Sequence, residues 1–275
     1  MNKITILITI DQNYLVPFKV MLCSLFTNNP GEKEIICYLI HSSIPETDLD
    51  DLRKYCRQYK TRLIPLKVDP ALFTDAPSNK RYPQTMYYRL LASVILPSSL
   101  NRILYLDLDM LVINPLRPLW EAELCGNIFA AAAHTGLTDF ANDLNHVRLG
   151  TDHDYYNSGV ILMDLAKARE YVKMEAIYQC VNDYQAKLMF PDQDIFNILY
   201  GKHTLALEDV IWNYDVRNYS NYLLHSSGEH DLNWIMKHTA ILHFCGSSKP
   251  WKASYAKRFG ILYKHYMNVA ARVSG

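Results

Sequence analysis

The chain has 275 residues, 49% of them hydrophobic and 20% charged, which suits a globular protein with a substantial core, either one large α/β domain or two small ones. With 28 basic and 28 acidic side chains the formal net charge is zero, so no global basic field points to nucleic acid or an anionic membrane. Six cysteines fall without any Cys-x-x-Cys pair, which reads as reduced core thiols of a cytosolic protein and argues against zinc ligation by cysteine.

Residues 3–10 are a β-branched run, predicted as a strand buried on both faces. The run is too short for a signal-peptide core, and no stretch approaches the ~18 uncharged apolar residues of a membrane span. Asp11-Gln12-Asn13 ends it, and helical spacing of Phe18, Leu22, Leu25 and Phe26 predicts a helix to about residue 27. Strands follow at 34–41 and 61–68, with a charged helix between them from Pro45 to about residue 59. Strands alternating with helices imply a parallel sheet in a doubly wound arrangement. The proline-rich stretch 69–83 reads as a loop, and 84–96 as an amphipathic helix carrying Arg89 among tyrosines.

The next strand, 103–106, runs directly into Asp107-Leu108-Asp109 and then into more apolar sequence. Asp-x-Asp occurs four times here, at 48/50, 107/109, 152/154 and 192/194, but only Asp107 and Asp109 are embedded in hydrophobic residues on both sides. The period of two in a strand puts both carboxylates on one side. Burying two like charges costs several kcal/mol unless something neutralises them, and a divalent cation with oxygen ligands is a common answer. A capped strand end is the simpler alternative. Further on, strands are expected at 128–133, 158–164 and 239–244. Helices are expected at 139–149, over the long pattern 166–188, from Pro191, and from about residue 253 to the end. Residues 203–238 read as loop-rich and aromatic.

Ligands of open parallel sheets bind beyond the carboxyl ends of the strands. The residues there are Asp11 with Asn13, Asp107 with Asp109, His134, and His243 leading into Gly246 and Lys249. Two carboxylates and an imidazole suit Mn²⁺ or Mg²⁺, Gly246 lets backbone approach a phosphate, and Lys249 supplies positive charge. Each has an ordinary reading as well. Asp11 can be a helix cap, His243 a hydrogen-bonded core histidine, Lys249 part of a surface turn, and Arg89 the partner of a surface acid.

Seven blocks in order carry a resemblance: TIDQNY at 9–14, YYRL at 87–90, LYLDLDMLV at 104–112, NPLRPLW at 114–120, YYNSGV at 155–160, PDQDIFN at 191–197 and LHFCGSSKPW at 242–251. Together they make the chain resemble glycosyltransferase family 8, which includes bacterial lipopolysaccharide galactosyl- and glucosyltransferases and glycogenin. The resemblance implies a single GT-A, Rossmann-like α/β domain over 1–275, with a mostly parallel central sheet flanked by helices. Its nucleotide-binding part would span roughly 1–115, its sugar and acceptor part roughly 116–251, and a C-terminal helix 252–275. It implies retaining transfer of glucose or galactose from UDP-glucose or UDP-galactose to a saccharide or lipid-linked saccharide, with Mn²⁺ or Mg²⁺ held by Asp107, Asp109 and His243. Asp11 and Asn13 would meet the nucleoside, Gly246 and Lys249 the diphosphate, and Arg89, Asn157 and Ser158 the sugar, with Gln193 and Asp192 beside the reacting carbon.

An amide is a poor nucleophile, so front-face displacement is the favoured route to retention, with Asp192 or Asp194 as a covalent nucleophile the alternative. The chain departs from the lipopolysaccharide galactosyltransferase pattern at His134, where an acceptor-side acid is expected, and at Pro191. It also ends soon after Trp251, without the basic aromatic tail those relatives often carry. The expected setting is cytoplasmic, with at most weak peripheral contact with the inner membrane face. Two other readings of the same acids are a metal-dependent nucleotide-sugar phosphohydrolase and a non-catalytic nucleotide-sugar-binding stress protein.

Overall fold

The computed structural model describes residues 3–73, 85–133 and 139–273. His134, which stands where an acceptor-side acid is expected, lies outside them. Strands β1 (Ile4–Thr9), β2 (Ile35–His41) and β3 (Thr61–Lys67) alternate with helices α1 (Leu15–Asn28) and α2 (Glu46–Gln58). Next come α3 (Thr85–Leu90), α4 (Ala92–Ile95), β4 (Arg102–Leu106), β5 (Met110–Val112), α5 (Arg117–Trp120) and β6 (Phe129–Ala133). Helix α6 (Asp139–Leu149), β7 (Tyr156–Asp164), α7 (Leu165–Tyr171), α8 (Met174–Tyr184), α9 (Pro191–Tyr200) and β8 (Thr204–Leu207) follow. The chain closes with α10 (Asp209–Trp212), β9 (Tyr214–Asp215), α11 (Tyr219–His225), α12 (Leu232–His238), β10 (Ile241–His243) and α13 (Gly260–Val273).

Seven strands make one sheet in the order β3-β2-β1-β4-β7-β6-β8, and β5-β10-β9 make a small second sheet. The large sheet is parallel except for β7, which runs antiparallel to β4 and β6. Its strands obey the period of two. Ile4, Ile6, Ile8, Leu104, Leu106, Val160 and Leu162 pack into one core, and Leu7, Ile103, Tyr105, Ile161 and Met163 into the other. Both faces are therefore covered by helices, as the continuous apolar runs require.

Three expectations are corrected by tertiary packing. The pattern 166–188 is two helices, because Val172 and Lys173 are extended and Val172 turns inward, 3% exposed. The stretch 203–238 is not mainly loop: it supplies the edge strand β8, the short strand β9 and three helices. The terminal helix begins at Gly260 rather than near 253. The turn before it packs Tyr255 against Phe244. α13 then lies on α1, with Tyr263 fully buried and the Tyr266 hydroxyl accepting from Asn28 Nδ2 at 2.8 Å. Among the described residues no helix is long and apolar enough to cross a membrane.

Candidate active site

Asp107-Leu108-Asp109 is the link between the two sheets. The Asp107 N–H donates to Gly159 O of the large sheet at 2.8 Å, and Asp109 O accepts from Phe244 N–H beside the small sheet at 2.8 Å. His243 ends β10, which pairs antiparallel with β5 so that His243 faces Met110 just past Asp109. One ligand atom from each of Asp107, Asp109 and His243 lies within 4.8 Å of the other two. Two carboxylate oxygens and one imidazole nitrogen fit a hard divalent cation such as Mn²⁺ or Mg²⁺.

The charges around these acids are closely balanced. Arg89, on α3, places Nη2 2.7 Å from Asp107 Oδ1 and Nη1 3.1 Å from Asp192 Oδ2. The same guanidinium donates to Ser158 O and Oγ, and its carbon sits 4.7 Å from the Tyr105 ring centre. The Tyr105 hydroxyl donates to Asp107 Oδ1 at 2.6 Å. Across the pair, Asp109 meets His243 Nε2 at 3.3 Å and Lys249 Nζ at 2.5 Å.

Burial opposes ionisation of both acids. Asp107 is pushed up by that burial and by the neighbouring Asp109 charge, with Arg89 offsetting only part. For Asp109, His243 and Lys249 outweigh burial and hold the carboxyl well below the usual range. His243 is itself raised well above its ordinary value, against burial, by Cys245 and Asp109. Arg89 is raised too, since Asp107, Tyr105 and Asp192 outweigh its burial.

Two adjoining clefts of about 430 and 420 Å³ open over this cluster and share Arg89, Asp107, Asp109 and Asp192. One extends past Asp11, Tyr14 and Lys249, the other past Asn157, Ser158, Gln193, Arg217 and Gly246. A larger cavity of about 740 Å³ lies at the opposite ends of β1, β2 and β3, among Lys3, Lys33, Arg57 and Arg62, and away from the acids.

Asp11 fits the ordinary reading as a cap and also faces the cleft. It caps a 3-10 turn by accepting the Asn13 N–H at 2.7 Å, and it lines the first cleft, whereas the Asn13 side chain is exposed outside the cleft lining. Gly246 adopts a φ of +86° that a side chain would strain, and a Cβ there would come within 3.0 Å of Arg217 Nη1. Asn157 and Ser158 reach the site from the start of β7, because that strand is antiparallel and its first residues lie at the edge where its neighbours end.

Gln193 sits in the first turn of α9. Its Oε1 accepts from Asn157 Nδ2 at 3.1 Å and from the Ser158 N–H at 3.3 Å. Asp194 points the other way and is 0% exposed. It accepts two bonds from Arg148, one from the Tyr155 hydroxyl and one each from the Met189 and Phe190 N–H groups.

The profile of the family described as "Glycosyl transferase family 8" matches residues 5–254. The chain belongs to that family. Among similar proteins, general stress protein A of Bacillus subtilis (strain 168) is 26% identical over 265 residues, covering 94% of this chain and 91% of that one. Lipopolysaccharide glucosyltransferase WaaO of Escherichia coli (strain K12) is 27% identical over 252 residues, covering 88% and 70%. In structure the chain is similar to the galactosyltransferase LgtC, solved in complex with donor and acceptor sugar analogs. The TM-score is 0.81 at 23% identity, with 97% and 96% of the two chains covered, which shows a shared fold.

Sequence reasoning missed three residues of this candidate site. Gly159 is one: a Cβ there would lie 2.5 Å from His243 Cε1 and 2.9 Å from Asp107 Oδ2. A glycine inside a strand is the usual sign of such a close approach. Tyr105 was legible in principle, being two residues before Asp107 on the same face. Asn213 carries no local signal, and its contacts with His243 and Asn157 arise only on folding.

Proposed function

We propose that this protein transfers a hexose, glucose or galactose, from a UDP-sugar to a saccharide or lipid-linked saccharide with retention of configuration. The observation that carries the reading is the cluster of Asp107, Asp109 and His243, placed where the Asp11 cleft meets the Asn157–Gln193 cleft. Family membership and the similarity to WaaO and LgtC support it. The cluster would hold Mn²⁺ or Mg²⁺, which when bound offsets charge on the departing diphosphate.

The chain's own groups then divide the work. Asp11 faces the nucleoside, Lys249 and the Gly246 backbone face the diphosphate, and Arg89, Asp192, Asn157 and Ser158 grip the sugar. Front-face displacement fits these residues. The bond from the anomeric carbon to the UDP oxygen breaks and the acceptor oxygen bonds to the same face. The acceptor's proton passes to the departing phosphate oxygen.

Gln193 Oε1 already accepts two hydrogen bonds, so it is poorly placed to attack. Asp194 is closed off among five donors. Of the two expected nucleophiles, Asp192 is the one that lines the clefts, and trapping a covalent sugar adduct on it would overturn the front-face route.

The direct test is UDP release in Mn²⁺ from UDP-glucose, UDP-galactose and their N-acetyl forms, each with and without saccharide acceptors. Acceptor-stimulated release from one UDP-hexose is expected. No Mn²⁺-dependent binding or turnover with any UDP-sugar would sink the proposal.

A further inference from the structure

We infer that Asn213 is a positioning residue that sets the tautomer of His243 and, through Asn157, the orientation of the Gln193 amide. The inference rests on the transferase reading and adds to it a link between the metal-facing and sugar-facing halves of the site.

The argument starts from groups whose roles are not open. A main-chain N–H can only donate. The Gly159 N–H lies 2.9 Å from Asn157 Oδ1, so that atom must be the carbonyl oxygen and the other end of the side chain the NH₂. That NH₂ donates to Gln193 Oε1, which the Ser158 N–H independently identifies as oxygen.

The same Asn157 oxygen takes a second hydrogen bond, from Asn213 Nδ2 at 2.9 Å. The remaining atom of Asn213, Oδ1, lies 2.8 Å from His243 Nδ1. An amide oxygen only accepts, so Nδ1 must carry a hydrogen. When the imidazole is neutral its lone pair is then on Nε2, the nitrogen that faces Asp109 at 3.3 Å and Asp107 at 3.9 Å. The polarity of two backbone N–H groups in β7 thus propagates through two asparagines to the ligand nitrogen of a histidine in the other sheet.

Among the described residues the Asn213 side chain has no other hydrogen-bond partner. It is 0% exposed, so both bonds lie away from bulk solvent. Its backbone is held between α10 and β9, and β9 pairs with β10 so that Asp215 lies beside His243. Side-chain partners of this kind keep a ligating histidine in one tautomer and one ring orientation.

Two variants separate the two roles, read by Mn²⁺ titration with electron paramagnetic resonance and by UDP release at saturating Mn²⁺. In Asn213→Asp a carboxylate still accepts from His243 Nδ1–H, so Mn²⁺ affinity is retained. Its second oxygen faces Asn157 Oδ1 with no hydrogen between them, so the Gln193 end loosens and turnover falls on the order of 10²-fold. In Asn213→Leu both contacts go, and Mn²⁺ affinity falls as well, by about 10–100-fold.

A residue that merely filled space would not separate affinity from turnover in this way. Wild-type Mn²⁺ affinity in a folded Asn213→Leu, or undiminished turnover in Asn213→Asp, would overturn the inference while leaving the transferase reading intact. Should Asn213→Leu not fold, Asn213→Asp decides alone, and loss of its Mn²⁺ affinity also counts against the inference. If the wild type neither binds Mn²⁺ nor releases UDP, the transferase reading fails first and the inference falls with it.

Discussion

Gly159 shows how little freedom a single position in this site has. Its hydrogen occupies space that a methyl group would contest with His243 Cε1 at 2.5 Å, Asp107 Oδ2 at 2.9 Å and Met110 Cε at 2.9 Å. In Gly159→Ala either the imidazole or the carboxylate must move, at an overpacking cost of about 1–3 kcal/mol. Mn²⁺ affinity should fall at least about tenfold, as it does when a ligand's support is disturbed. Gly31→Ala is the control, since a Cβ there meets nothing within 4 Å. Equal Mn²⁺ titrations for the two alanine variants would remove Gly159 from the site. The acids and His243 were legible because apolar runs flank them and strands end at them. Gly159 offered only the general sign of a glycine within a strand and Asn213 offered none, because what each touches is brought there by distant sequence. Asn213 and His243, for example, are separated by 30 residues.

At the scale of elements, the start of α9 is held by a buried carboxylate rather than by an exposed cap. Asp194 collects five hydrogen bonds and is paired with Arg148 of α6, which fixes the turn that presents Asp192 and Gln193. Asp194→Asn leaves Arg148 without its charge partner, and breaking a buried pair costs about 3–5 kcal/mol. Urea unfolding should show that loss, together with reduced turnover although Asp194 lines neither cleft; unchanged stability would contradict it. A second element-level prediction concerns the passage from β2 to α2. His41 Nδ1 accepts the Ile44 N–H at 3.2 Å, and burial, then the Lys67 charge, lower its pKa from the ordinary 6.5. Below about 6.5 the unfolded chain takes up a proton that the folded imidazole resists, so this contribution is present above that value and lost as pH falls through the folded pKa. His41→Asn keeps an acceptor for Ile44 but does not titrate. The stability difference between wild type and variant should therefore shift against the wild type as pH falls below about 6.5. A pH-independent difference would refute the assignment. Strand and helix existence was largely legible from periodicity, but direction was not. The residues of β7 carry no mark of running antiparallel, and nothing local in 166–188 marks the break that buries Val172.

On the scale of the whole molecule, the site lies across the junction of two sheets, whose apolar residues Leu104, Leu106, Met110, Val112, Ile241 and Leu242 share one core. Asp107 hydrogen-bonds into the seven-stranded sheet through Gly159, while Asp109, His243 and Lys249 belong to the small sheet and the loop that follows it. That loop is backed by packing. Trp251 lies with its ring centre 6.1 Å from that of Tyr263 on α13 and meets Tyr14 edge-on at 5.6 Å. A ligand gripping Asp11, the acids and Lys249 at once must stabilise both sheets together, because unfolding either one releases it. At 100 times its dissociation constant such a ligand adds about 2.7 kcal/mol, which in a protein of this size raises Tm by roughly 5–10 °C. UDP with Mn²⁺ should give that rise as one sharpened transition in calorimetry, and excess EDTA should abolish it. Asp109→Asn keeps the shape of the link but weakens its hold on both the cation and Lys249. The increment from UDP and Mn²⁺ should then shrink to a small fraction of the wild-type value, whatever the variant's own Tm. An undiminished increment in Asp109→Asn would mean that the nucleotide is held elsewhere, and the junction between the sheets would lose its claim to be the donor site.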